Sequence, residues 1–96
     1  MKPVGIGIIG CGNISPAYLT AAKKFPILDI IALADANPAA AEARASEFGL
    51  EARAIDALLA DPTIEIVVNL TIPKAHVEVG LQAIAAGKHE IGRAHV

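Results

Sequence analysis

Apolar runs and helix-like segments alternate along this chain. Residues 4–9, Val-Gly-Ile-Gly-Ile-Ile, form a near-continuous apolar run, and so do residues 27–34 and 64–70. Runs of that length without polar alternation suit strands of a parallel sheet covered on both faces. A shorter strand is predicted near 50–53. Between the runs lie helical segments at about 15–24, 38–48, 56–60 and 73–86. Asn37-Pro38 reads as a cap followed by proline at the first helical position, and Gly49 reads as a stop. Asp61-Pro62 closes the short third helix. The fourth carries Val77, Val79, Leu81 and Ile84 and ends at Gly87. Strand–helix alternation with short links predicts an α/β fold, a doubly wound parallel sheet of four strands. The chain shows no repeat, linker or low-complexity tract beyond the alanine-rich second helix.

The turn after the first strand carries the chemistry. Gly10-Cys11-Gly12-Asn13-Ile14-Ser15 leads from strand to helix, where unpaired backbone N–H groups and the helix dipole favour an anion. A literal G-x-G-x-x-G occurs at Gly5, Gly7 and Gly10, but two of those glycines lie inside the strand, where they weaken it or admit close packing. The mechanism requires the register Gly10-x-Gly12-x-x-Ser15. There Gly10 permits the turn and Gly12 lets backbone approach a pyrophosphate. Ser15 stands where a small residue is needed, or it caps the helix opened by Pro16. Gly10, Gly12, Asn13 and Ile14 are therefore candidate cofactor-binding residues.

Asp35 ends the second strand, 25 residues after Gly10. A carboxylate near that spacing suits a ribose diol and repels a 2′-phosphate. No arginine stands at Ala36 or Asn37, so NAD is favoured over NADP. The other reading of Asp35 is a solvated strand-end or cap residue.

Composition narrows the class. The 96 residues are 54% hydrophobic and 19% charged, with net charge −2. That charge leaves no footprint for nucleic acid or an anionic membrane. No stretch is long enough to span a bilayer, and no secretory signal pattern is present. The single cysteine, Cys11, excludes an internal disulfide and fits the cytoplasm; it reads as a packing residue of the turn, with a reactive thiol as the alternative. The histidines do not have metal-ligand spacing, and no Ser-His-Asp or Cys-His arrangement is supported.

Residues 66–76, Ile-Val-Val-Asn-Leu-Thr-Ile-Pro-Lys-Ala-His, together with Ala85-Ala86-Gly87-Lys88-His89, the glycine turn and Asp35, resemble the glucose-fructose oxidoreductase / inositol dehydrogenase / MocA family. The resemblance covers residues 3–89. It implies a Rossmann domain for NAD or NADP, in an oxidoreductase that transfers hydride to or from a sugar, polyol or related alcohol. It also implies that Thr71, Pro73 and His76 line the cofactor toward the nicotinamide. Thr71 has two readings, a hydrogen bond to the cofactor or a cap on the Pro73 helix; His76 also reads as a partly exposed helix-start residue. A methyltransferase reading fits less well, because Ile14 stands where that fold repeats a glycine and Thr71-x-Pro73-x-x-His76 has no role there.

The ending departs from the family. A fifth apolar strand and a Glu-Lys-Pro motif, whose lysine positions substrate, are expected after His89. The chain reads Glu90-Ile91-Gly92-Arg93-Ala94-His95-Val96 instead. Neither Lys88 nor Arg93 stands in that lysine's place. Back-translated as GAG ATC GGA AGA GCA CAC GTC, the heptapeptide matches a common sequencing adapter. The expectation is a truncated dinucleotide-binding domain over 1–89 and a non-native tail over 90–96, with a genuine tail as the other reading. No catalytic residue is then present, and the fragment is expected to be inactive and marginally stable, with an unpaired sheet edge. A non-catalytic dinucleotide-binding or redox-sensing module is the alternative. For a longer parent the readings are a homo-oligomeric sugar oxidoreductase or an NAD-dependent glycosidase.

Overall fold

The computed structural model describes residues 3–10, 19, 20, 23–71 and 73–92. They form a parallel α/β sheet: β1 (Val4–Ile9), β2 (Leu28–Ala34), α1 (Pro38–Phe48), β3 (Glu51–Ala52), α2 (Ile55–Ala60), β4 (Ile66–Asn69), α3 (Pro73–Ala85) and β5 (His89–Gly92). The strand order is β3-β2-β1-β4-β5, and every pairing is parallel. The order reverses on either side of β1, so the ends of β1 and β4 flank the switch point at which open α/β sheets bind ligands. Of the predicted first helix, Leu19 and Thr20 are described, and both are helical.

The two faces of the sheet carry separate apolar layers. Ile6 and Ile8 of β1, with Leu33, face a layer that includes Leu19 and the α1 residues Ala41 and Ala45. Ile9, Ala32, Ala34 and Val67 face the other layer, with Leu58 of α2 and Val79 and Ala83 of α3. Alternate residues of one strand thus serve opposite layers, which is why the strands read as unbroken apolar runs. The strand glycines serve close packing. A Cβ on Gly5 would collide with the Thr63 carbonyl, and one on Gly7 would come within 2.6 Å of the Leu58 side chain.

Asn37 caps α1 as predicted: its side-chain oxygen accepts from the Ala39 N–H at 3.1 Å. In α3 the apolar positions divide. Val79 and Ala83 are buried, whereas Val77, Leu81 and Ile84 are 60–69% exposed. Among the described residues, no helix is long and apolar enough to cross a membrane.

The expectation of four strands needs correction. Residues 89–92 pair with 66–69 as a fifth strand, in the register Ile66↔His89 to Asn69↔Gly92. The edge of β4 is therefore covered. The side chains of β5 are mostly exposed, so backbone hydrogen bonding and not apolar patterning places this strand. Any extended run without proline can supply those bonds.

Two polar clusters meet at Asp61. The Lys88 ammonium donates to the carbonyls of Asp61 and Ile64, each at 2.8 Å. Arg53 pairs with Asp61 and, at 3.0 Å, with Glu51. Asp61 also accepts from the Thr63 hydroxyl at 2.6 Å and from the Thr63 N–H at 2.8 Å. The Thr63 hydroxyl first, then Arg53, holds the Asp61 carboxyl down at about 2, below its ordinary 3.8. The hydrogen bond from Arg53 lowers Glu51 as well. The unfolded chain binds these protons more readily, so the stabilisation is present above about pH 4 and lost as pH falls toward 2. The melting temperature should fall over that window, measured by circular dichroism, and Asp61→Asn should flatten the fall.

Candidate functional site

Three strand ends converge at Gly10. Its N–H donates to the Ala34 carbonyl at 2.8 Å, which ties the end of β1 to the end of β2. Its φ is +105°, a left-handed conformation that L side chains rarely adopt. A Cβ there would lie 2.6 Å from the Leu70 carbonyl carbon and 2.8 Å from the Thr71 nitrogen. Glycine is thus required twice, by the backbone angle and by the proximity of the β4 end. The structure brings Gly10 and Thr71 together, with Asp35 one residue beyond the Ala34 carbonyl. Gly12, Asn13 and Ile14, like Cys11, Ser15 and Pro16, lie outside the described residues.

Asp35 is half-buried at the end of β2. Its Oδ1 accepts from the Asn37 N–H at 2.8 Å, so the carboxylate is oriented by the same turn that starts α1. Beside it lies a cavity of about 160 Å³ lined by Pro38, Glu42, Ala52 and Arg53. Sequence reasoning missed Arg53, because only the β2–β3 pairing, Leu33↔Ala52, carries it beside Asp35. Its guanidinium is engaged by Asp61 and Glu51.

The β4–α3 turn is organised by Asn69, which is fully buried. Its Nδ2 donates to the His76 carbonyl at 2.9 Å and to Glu90 at 3.2 Å. Its Oδ1 accepts from the Thr71 N–H at 3.3 Å and from the Thr71 hydroxyl at 2.6 Å. Thr71 and His76 are therefore held by one side chain. Pro73 opens α3 at its first residue. The His76 ring leans toward β5, since a Cβ on Gly92 would lie 2.5 Å from its Nε2. Sequence reasoning also missed Asn69. The available signal was a polar residue at the end of an otherwise apolar strand.

A larger groove of about 740 Å³ runs between α2 and α3, lined in part by Ala36, Ile55, Leu59, Ala75 and Val79. Ala36 and Ala75 place one end of it beside Asp35 and the start of α3. Lys88, held by carbonyls at the opposite edge of the sheet, takes no part in this site.

A glycine-tight β1 end, an oriented acid after β2 and a polar turn after β4 define a nucleotide-binding α/β domain of the doubly wound class. Comparison with known proteins makes this specific. The family model GFO_IDH_MocA, an oxidoreductase family with an NAD-binding Rossmann fold, matches residues 4–91. The chain belongs to this family. It is 38% identical over 85 residues to inositol 2-dehydrogenase of Rhizobium meliloti (strain 1021), covering 88% of this chain and 26% of that protein. It superposes on myo-inositol dehydrogenase from Lactobacillus casei in complex with NAD(H) and myo-inositol with a TM-score of 0.84, at 27% identity, over 95% of this chain and 28% of the other. KijD10, a 3-ketoreductase from Actinomadura kijaniata in complex with NADP and TDP-benzene, gives 0.81 at 28% identity, over 95% and 29%. The chain thus spans about a quarter of the length of its curated inositol dehydrogenase relative. The domain is an NAD(P)-binding one.

Gly10→Ala should remove dinucleotide binding, measured by calorimetric titration. The positive φ alone should cost about 1–3 kcal/mol of stability in denaturant unfolding.

Proposed function

We propose that the chain is the cofactor-binding part of an NAD-dependent oxidoreductase acting on a sugar, polyol or related alcohol. The observation that carries this reading is the convergence of Gly10, Asp35 and Thr71 at the carboxyl ends of β1, β2 and β4. The residues fit the cofactor. Gly10 lets the turn pass tightly against the Leu70–Thr71 peptide, and the Asp35 carboxylate is directed by the turn at Asn37. In this reading Gly12, Asn13 and Ile14 belong to the same turn, Asp35 accepts from the adenosine ribose diol, and the groove beginning at Ala36 receives the adenine. Thr71, Pro73 and His76 border the cofactor from the β4 side. Bound NAD supplies a hydride acceptor; this chain binds and orients it.

Asp35 supports NAD over NADP, because a carboxylate beside a 2′-phosphate is repulsive. Arg53 could offset that charge, but two carboxylates already engage it. Similar structures were solved with NAD(H) and with NADP, so the preference rests on these side chains. Titration of both dinucleotides tests it. NAD should bind more tightly than NADP, and Asp35→Ala should weaken NAD about tenfold, roughly the loss of one charge-assisted hydrogen bond, while narrowing the difference. Tighter NADP binding by the unsubstituted chain would overturn the assignment.

The substrate class is supported by the inositol dehydrogenase relatives. The lone thiol of Cys11 supports a reducing compartment such as the cytoplasm. The purified 96-residue chain should show no turnover of any polyol with NAD, followed by absorbance of the reduced nicotinamide.

A further inference from the structure

The orientation of the Asn69 amide is fixed by its neighbours. The Thr71 backbone N–H can only donate, so the atom facing it is Oδ1; the His76 carbonyl can only accept, so the atom facing it is Nδ2. The Thr71 hydroxyl lies 2.6 Å from that same Oδ1 and donates to it. A hydroxyl has one proton and two lone pairs, so with its proton given to Asn69 it meets any further partner as an acceptor. Asn69 is fully buried and tied to α3, so it cannot turn away without breaking a bond to the His76 carbonyl.

We propose that Asn69 is a positioning residue that fixes the Thr71 hydroxyl as an acceptor for an N–H or O–H group of the bound dinucleotide. This rests on the placement of Thr71 at the cofactor, and it makes that placement chemically selective. Phosphate oxygens cannot donate, so Thr71 does not hold the pyrophosphate. Its partner is a ribose hydroxyl, the nicotinamide carboxamide or the adenine amine.

Dinucleotides lacking one donor at a time distinguish these sources. They are 3-acetylpyridine adenine dinucleotide, nicotinamide hypoxanthine dinucleotide, and NAD deoxygenated singly at the 2′ or 3′ position of either ribose. Affinities are measured by calorimetry on the 96-residue chain. One analogue should bind the unsubstituted chain about tenfold more weakly than NAD, the loss of one hydrogen bond. That penalty should disappear in Thr71→Val and persist in Thr71→Ser. Asn69→Ala frees the hydroxyl proton and should reduce that penalty to less than about threefold. A penalty from an adenosine-ribose analogue that reports Asp35 should survive Thr71→Val, which separates the two contacts.

If NAD binds but no analogue penalty depends on Thr71, the inference is wrong while the site stands. If NAD does not bind saturably, the site itself is wrong. If Thr71→Val lowers the affinity for inorganic pyrophosphate as much as that for NAD, the hydroxyl donates to a phosphate and the acceptor assignment is overturned directly. Should Asn69→Ala fail to fold by circular dichroism, the analogue series on the unsubstituted and Thr71 chains still decides the polarity of the contact.

Discussion

The carboxyl edge of this sheet is built around the absence of a side chain at Gly10. The β1 end, the Ala34 carbonyl and the Leu70–Thr71 peptide meet within van der Waals distance there, and a single added Cβ would lie 2.6 Å from a backbone carbon. Interiors pack too densely to absorb that overlap without moving a strand. The same closeness sets the distance from the turn to Asp35 on one side and to Thr71 on the other. In the proposed reading the Gly10 turn, Asp35 and the polar β4 turn address one elongated ligand, which links the packing of three strands to binding.

Much of this was legible in the residues. The unbroken apolar runs announced strands buried on both faces, and the two layers built on Ile6 and Ile8 and on Ile9 and Val67 bear that out. Asn37 and Pro38 marked the start of α1 because capping is local chemistry, decided within a few residues. The literal glycine match at Gly5 and Gly7 has a packing role. Those positions make room for Thr63 and Leu58, inside the sheet and away from its ligand-binding edge.

What the residues did not reveal depends on pairing between distant segments. Nothing in the local pattern of His89-Glu90-Ile91-Gly92 announces a strand, since its side chains stay mostly exposed and its backbone bonds come from β4. Arg53 reaches the cavity beside Asp35 only because β3 lies next to β2. The hub at Asn69 is likewise tertiary. Its partners come from the turn after β4, from α3 and from β5, and no spacing rule connects all three. Functional chemistry at the end of a strand is assembled by topology, so single residues there carry weak local signals.

The central claim is that one face of this chain, the carboxyl edge of the sheet, receives the dinucleotide. Titrating NAD into isotope-labelled protein and following the backbone amide resonances tests it most directly. Saturable shifts should concentrate at Gly10, Asp35, Ala36, Thr71 and His76, with Thr63, Glu65 and Lys88 at the opposite edge unchanged. Saturable shifts centred on that opposite edge, or none at the Gly10 turn, would contradict the account.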